Sequence, residues 1–334
     1  MGHYLVTGVA GFIASRVAGF LLDDGHTVVG VDNLNDSHDV RLKKWRVEQL
    51  RRDGFTFHEL DICDRDALRD TVFGGSAGDG DTIDRDTFDA VINLAARAGV
   101  RPSVENPYIY ADTNLGGTLN LLELCRAHGV EKFVLASTSS VYGATTEMPY
   151  RENQDTDRPL SPYAASKKAA EAMCYTYHYL HDIDVTVFRY FTVYGPAGRP
   201  DMAPFRFIKW IAEGQPLTVY GDGSQSRDFT YVDDIARGTI LGLKEVGYEA
   251  VNLGSDTPIV LMDAIRAFEE AIGKGAKIEY EPRHEADVPA TWANISKARR
   301  LLGWQPEVDF EEGVRRTVDW YLEHREWARD LRTD

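Results

Sequence analysis

Cysteine is scarce: Cys63, Cys125 and Cys174 stand far apart in 334 residues, so neither a disulfide framework nor a metal-ligand spacing is present. Positive charge is also short. Thirty-seven Lys and Arg face 53 Asp and Glu, for a net charge of −16, which argues against nucleic acid or an anionic membrane as partner. Any anionic ligand has to be held by local arginines. No run is long and apolar enough to span a bilayer. The stretch from His3 to Thr7 enters an apolar strand pattern directly, without the charged region, apolar run and cleavage site of a signal peptide. Internal repeats and low-complexity tracts are missing as well. These absences predict a reduced, cytoplasmic protein without bound metal.

What is present suits an α/β core. Hydrophobic residues make up 43% of the chain, enough for one large domain and a second lobe. Short apolar runs alternate with amphipathic segments through the first 190 residues, the pattern of a parallel sheet covered by helices on both faces. The spacing predicts strands at Tyr4 to Thr7, Thr27 to Val31, Phe55 to His58, Ala90 to Leu94, Phe133 to Ser137 and Val185 to Arg189. Helices are expected near 12–24, 41–52, 64–73, 107–128 and 162–181, the last with Ser161 as N-cap and Pro162 at its first position. Gly74 to Asp86, rich in glycine and aspartate, reads as a polar surface loop. Past residue 190 the alternation weakens. A first domain over 1–190, rejoined by the chain at about 232–258, and a smaller one from 191–231 and 259–334 are therefore expected.

The first strand leads into Gly8-Val9-Ala10-Gly11-Phe12-Ile13-Ala14, a glycine-rich turn opening a helix. Gly8 would permit the tight turn, Gly11 the approach of a pyrophosphate, and Ala14 close packing of the helix on the sheet. The same pattern also occurs as an ordinary strand-to-helix connection. Asp32 strengthens the dinucleotide reading, because a carboxylate about 20 residues further on accepts hydrogen bonds from the adenosine ribose and repels a 2′-phosphate. NAD is then favoured over NADP on a Rossmann-type doubly wound parallel sheet, the alternative for Asp32 being a plain turn before Asn33.

A second constellation is Tyr163-x-x-x-Lys167, whose spacing places both side chains on one helix face. An ammonium beside a phenol favours the phenolate and makes tyrosine a usable general base. It follows the strand ending at Ser137 and the run Thr138-Ser139-Ser140, hydroxyls able to bond a sugar hydroxyl or, equally, to satisfy themselves in a polar turn.

At this point the chain resembles, over essentially its whole length, the extended short-chain dehydrogenases/reductases that modify nucleotide sugars. The resemblance rests on Gly8 to Ala14, Asp61-Ile62, Asn93-Leu94-Ala95-Ala96, Thr138 through Val141-Tyr142-Gly143 and Tyr163 with Lys167. It extends to Arg227-Asp228-Phe229, Val232-Asp233-Asp234 and Leu302-Gly303-Trp304-Gln305-Pro306. Within that family it is most similar to the UDP-glucuronate 4-epimerases, through Ala98-Gly99-Val100-Arg101 and Phe191-Thr192-Val193-Tyr194-Gly195-Pro196 followed by Gly198-Arg199-Pro200-Asp201-Met202-Ala203.

The resemblance implies a Rossmann-type domain with a smaller C-terminal substrate-binding α/β lobe. It implies NAD held by Gly8, Gly11, Phe12, Ile13, Asp32, Asn33, Asn35, Ser37, Asp61 and Ile62. Further along, Leu94, Ala95, Ala96, Asn114, Ser137, Tyr163, Lys167, Tyr190 and Val193 complete that set. Tyr163, Lys167 and Thr138 are the implied catalytic residues, with Lys167 bridging the nicotinamide ribose and the phenol. A UDP-sugar would lie among Arg101, Thr138, Ser139, Ser140, Thr192, Arg199, Val219, Tyr220, Arg227, Arg283 and Asp287. Near the diphosphate, relatives often carry an arginine where His284 stands here with Arg283 beside it, which leaves two candidates for that contact. Helices 107–128 and 162–181 resemble the pair that forms a dimer interface in relatives.

Arg199 bears on the choice of sugar. Its fork can pair a C6 carboxylate through two parallel charge-assisted hydrogen bonds, unless it is simply a solvated surface arginine. Nucleotide-sugar 4,6-dehydratases follow the catalytic Thr with Asp-Glu, and UDP-glucuronate decarboxylases carry Glu at the place of Ser140; Ser139-Ser140 disfavours both. The expected reaction is conversion of UDP-glucuronate to UDP-galacturonate through a 4-keto intermediate. The alternatives are a UDP-glucose 4-epimerase with the same machinery, then a decarboxylase, and in a different class a non-catalytic NAD(H)-binding protein.

Overall fold

The computed structural model describes residues 1–74, 87–282 and 288–333. Six strands alternate with helices through the first part of the chain: β1 (His3–Thr7), β2 (Thr27–Asp32), β3 (Phe55–Glu59), β4 (Ala90–Asn93), β5 (Lys132–Thr138) and β6 (Asp184–Tyr190). They are followed by β7 (Thr192–Tyr194), β8 (Pro216–Tyr220), β9 (Ser226–Tyr231), β10 (Tyr248–Leu253), β11 (Pro258–Val260) and β12 (Lys277–Glu281). A seven-stranded sheet runs in the order β10-β6-β5-β4-β1-β2-β3, parallel at each pairing. This is the doubly wound arrangement expected from the alternation. The strand order reverses between β1 and β4, and the crevice beyond their carboxyl ends is where such sheets bind ligands.

Burial explains why these runs became strands. Phe133, Val134, Leu135, Val185, Val187 and Phe188 are buried in β5 and β6, which read as continuous apolar runs because both faces of a parallel sheet are covered. One core, with Val6, Val17, Leu21 and Ile92, lies under one helical layer; another, with Leu5, Val91, Leu121 and Cys174, lies under the opposite one. After β9 the helix Val232–Leu241 packs on the helix Phe12–Asp23, and β10 then pairs with β6. A three-stranded sheet, β11-β9-β7, and the parallel pair β12-β8 enclose a third core around Phe205, Phe229, Phe268 and Tyr321.

Several motif residues prove to be knots of the architecture. Asp228 is fully buried and accepts hydrogen bonds from the backbone N–H of Ser255 at 2.5 Å, Ala293 at 2.9 Å and Asp256 at 3.2 Å. Asp234 accepts from the N–H of Glu307 and Val308 at 3.1 Å, and Trp304 donates its indole N–H to the Asp234 carbonyl at 2.9 Å. These contacts join the closing segment of the chain to the large sheet.

Local chemistry also sets the helix ends. Ser161 accepts from the Ala164 N–H at 3.2 Å with Pro162 at the first position of the helix Pro162–His181, as expected. The predicted helix over 107–128 is instead three segments, an α-turn Pro107–Tyr110, a π-helical stretch Ala111–Gly117 and the helix Thr118–His128. The π-helical stretch carries the buried amide of Asn114, which receives the Arg97 N–H at 2.8 Å and donates to the Arg97 carbonyl at 3.0 Å and to Ser166 Oγ at 2.9 Å. A short helix, Val100–Glu105, lies where none was expected. Apart from Gly74, the polar loop expected up to Asp86 falls outside the described residues. No described helix is long and apolar enough to cross a membrane.

Beneath the carboxyl end of β5, Arg189 on β6 pairs with Glu171 on the helix Pro162–His181, Nη2 to Oε2 at 2.8 Å and Nε to Oε1 at 3.1 Å. Their side chains are only 5% and 3% exposed, and Glu171 also accepts from Ser137 Oγ at 2.5 Å. Removing one partner strands the other charge in a dry core. Glu171→Ala is therefore expected to cost about 3–5 kcal/mol in urea unfolding; a loss below about 1 kcal/mol would mean that the pair is dispensable.

Candidate active site

The crevice at the strand reversal is a cavity of about 430 Å³ that extends from Asp32, at the end of β2, to Tyr163 and Arg199. Its floor is the turn after β1. Gly8 has φ +70°, and a Cβ there would stand 2.8 Å from the backbone of Ala95. A Cβ on Gly11 would stand 2.8 Å from the Gly8 carbonyl, which already accepts the Gly11 N–H at 2.7 Å. Gly11 is thus required by the fold of the turn itself, besides any approach of a ligand. No side chain caps the following 12-residue helix and no acid stands in its first turn, so its leading N–H groups face the cavity for an anion.

At the β2 end, Asp32 accepts from the N–H of Leu34 at 2.8 Å and of Ala10 at 3.2 Å, and Lys43 Nζ lies 4.0 Å away. Burial raises its pKa, with Lys43 and those N–H groups acting in opposition. Asn33 donates to Asp61 at 2.7 Å, lining up two carboxylates along one wall. An uncapped helix N-terminus at the floor and acceptor carboxylates at one end fit a dinucleotide, its diphosphate on the turn and its adenosine ribose toward Asp32.

Tyr163, Lys167 and Thr138 meet at the other end. The ring of Tyr163 lies edge-on to Tyr110, centroids 6.2 Å apart. Burial pushes its phenol above the ordinary value, while a hydrogen bond with Thr138 and the positive charge of Arg199 pull it back. Lys167 lies one helical turn beyond Tyr163 and lines the same cavity. Its ammonium donates to the Ala136 carbonyl at 2.8 Å, and burial pulls its pKa down to about 8 against the opposing influence of Cys174 and Glu171. Arg199 is a cation acting on the phenol in addition to the expected Lys167. Its guanidinium is held by Asp201, Nη2 to Oδ2 at 2.6 Å and Nε to Oδ1 at 3.1 Å.

The cavity gathers most of the residues singled out from the sequence. Gly8, Gly11, Phe12, Ile13, Asp32, Asn33, Asn35, Ser37, Asp61, Ile62, Leu94, Ala95 and Ala96 line it. So do Ser137, Thr138, Ser139, Ser140, Tyr163, Lys167, Tyr190, Thr192, Val193 and Arg199. Asn114 does not, because its amide is spent on Arg97 and Ser166. Arg101, Tyr220, Val219 and Arg227 lie beyond the cavity: Arg101 stacks over Tyr220 at 4.8 Å, and the Val219 side chain is buried in the small-lobe core. Arg227 Nη1 donates to the Ser226 carbonyl at 2.8 Å. Arg283, His284 and Asp287 are outside the described residues. His38, Lys43, Arg97 and Asp201 line the cavity without having been singled out; only the position of Asp201, two residues after Arg199, hinted at its part. Among the described residues no group of three or more His, Cys, Asp or Glu could hold a metal ion.

A family model described as GDP-mannose 4,6 dehydratase matches residues 5–317. UDP-glucuronate 4-epimerase of Thermodesulfobacterium geofontis (strain OPF15) is 55% identical, over 99% of this chain and all of that protein. The crystal structure of UDP-glucuronic acid 4-epimerase from Bacillus cereus in complex with UDP-glucuronic acid and NAD superimposes with a TM-score of 0.86. It is 36% identical and covers 96% of this chain and 99% of that one. UDP-glucose 4-epimerase of Thermotoga maritima with UDP-glucose gives a TM-score of 0.87 at 30% identity, over 97% and 99% of the two chains. The backbone therefore does not distinguish an acidic from a neutral sugar, and the side chains around C6 must.

The Gly8 turn makes a direct prediction. Gly8→Ala places a side chain at positive φ, costing about 1–2 kcal/mol, and drives its methyl into Ala95. Calorimetric titration with NAD should show at least tenfold weaker binding, on the order of 1.4 kcal/mol; wild-type affinity would mean that the turn does not shape the cradle.

Proposed function

The chain belongs to the extended short-chain dehydrogenases/reductases that act on nucleotide sugars, and on that premise we propose that it inverts C4 of UDP-glucuronate, using NAD. The observation that carries the reading is the meeting of a desolvated phenol, a hydroxyl partner and an arginine in one cleft, where among the described residues no carboxylic acid beside the phenol is free to drive elimination. The carboxylate on that side, Asp201, is engaged with Arg199, and Ser139-Ser140 stand where a dehydratase or decarboxylase needs acids.

NAD, when bound, supplies reversible hydride acceptance at the sugar's C4. Gly8, Gly11, Phe12 and Ile13 would hold its diphosphate, Asp32 its adenosine ribose, and Lys167 its nicotinamide ribose. Tyr163 takes the proton of the 4-hydroxyl, with Thr138 bonding the same oxygen and fixing its distance. Arg199 lowers the energy of the phenolate that this transfer requires. Arg227 and its neighbours anchor the uridine diphosphate, so the 4-keto ring can turn over without leaving, and Tyr163 returns the proton after the opposite face of C4 is presented. The outer edge of the Arg199 guanidinium takes the C6 carboxylate, which also restrains the β-keto acid from losing carbon dioxide.

The protein is proposed to work as a homodimer. Tyr108, in the turn Pro107–Tyr110, and Tyr175, Tyr179 and Leu180, on the helix Pro162–His181, are between 53% and 78% exposed on the segments of the expected interface, and a second copy would cover them. Light scattering at micromolar concentration should report a dimer, and a monomer would reject that assembly.

Products formed from UDP-glucuronate, resolved by NMR, test the function. UDP-galacturonate in C4 equilibrium is expected without added reductant; a UDP-pentose would overturn the reading, and conversion of UDP-glucose alone would make Arg199 something other than the carboxylate partner. Tyr163→Phe should retain NAD but lose at least about a thousandfold in kcat, within the span of general-base catalysis. Near-normal turnover would remove the phenol as base.

A further inference from the structure

Arg199 does not face the sugar alone. Asp201 takes its Nε and one Nη2 hydrogen, which leaves the donors of Nη1 uncommitted to Asp201 on a residue that lines the cleft and acts on Tyr163 and Tyr110. A uronate binding that free edge would put two carboxylates on one guanidinium. Their repulsion weakens each bond, since like charges sharing a partner disfavour one another.

His38 is placed so as not to relieve this repulsion. Its Nδ1 lies 3.4 Å from Asp201 Oδ1, is buried, and has no hydrogen-bond partner. Burial first, then the positive charges of Arg199, Arg46 and Lys43, hold its pKa down to about 3 despite Asp201, so the imidazole stays neutral at working pH. The Asp201 charge is left to act on Arg199.

We propose that Asp201 sets the strength of the Arg199 grip, weak enough for the sugar carboxylate to be released and retaken while the 4-keto ring turns over. The inference rests on the uronate reading of the site. Turnover of the ring presents the opposite face of C4, so C5 and its carboxylate must move. A grip that is too firm stabilises the bound ground state and adds to the barrier for that movement. Asp201 is on this account a positioning residue that trades affinity for rate.

Asp201→Asn keeps a hydrogen-bond acceptor for Arg199 and removes the charge. In the NAD-loaded enzyme, KM for UDP-glucuronate is expected to fall about tenfold and kcat to fall by a similar factor, the low end of what a neighbouring charge does. Affinity for UDP, which lacks the sugar, should not change, and Asp201→Glu should move both constants back toward the wild type. If the amide variant does not fold, Asp201→Ser should shift KM and kcat in the same directions. Unchanged constants, or a rise in KM with a lower kcat, would overturn the proposal; the latter result would make Asp201 a mere prop for Arg199. Failure of the wild type itself to epimerise UDP-glucuronate would instead sink the functional reading and this inference with it.

Discussion

Desolvation of the Tyr163 phenol is the constraint on which the rest of the molecule turns. A buried phenol resists ionisation, so any neighbour that offers positive charge or a hydrogen bond acquires leverage over where its proton resides. The site supplies that leverage sparingly. Thr138 and Arg199 act on the phenol, Asp201 tempers Arg199, and Lys167 keeps its ammonium on the Ala136 carbonyl. A base that must both take and return a proton within one catalytic cycle benefits from this balance, because over-stabilising either form slows one of the two transfers.

The fold delivers these groups from distant parts of the chain and ties them together. Arg46, buried on the helix Val40–Leu50, donates to the carbonyl of Ala10 at 3.0 Å and to those of Ala197 at 2.6 Å and Gly198 at 3.2 Å. One guanidinium thus links the turn proposed to cradle the diphosphate with the segment that carries Arg199. On the far side, Glu171 lies one helical turn beyond Lys167, and its ion pair with Arg189 also fixes Ser137, next to Thr138. The proposed cofactor cradle, proton acceptor and sugar contact are therefore parts of a continuous packed framework, tied together by buried polar contacts that are costly to break.

Much of this was legible from periodicity and punctuation. The apolar runs of β5 and β6, the Ser161-Pro162 helix start and the glycine turn after β1 are local signals with local causes. Less legible were features that depend on contacts across the chain. On the π-helical stretch Asn114 meets Arg97 and Ser166, and no period in the sequence reports such a meeting. The sequence suggests room for a ligand at Gly11, but not that the Gly8 carbonyl independently forbids a side chain there. Tyr163 and Lys167 share a helix face as their spacing requires, but the bond of the ammonium to the Ala136 carbonyl and the influence of Arg199 on the phenol, from 36 positions away in sequence, are contacts that no spacing reports. His38 and Asp201 could not be paired at all before the fold brought their segments together.

The control of Tyr163 by Arg199 is accessible without turnover. In the NAD-loaded protein labelled at tyrosine Cζ, with the resonance of Tyr163 assigned by its loss in Tyr163→Phe, the phenol can be titrated by carbon-13 NMR. Arg199→Gln should move its midpoint upward by about one pH unit. A midpoint that is unmoved by that substitution, but shifted by Lys167→Met, would contradict the account.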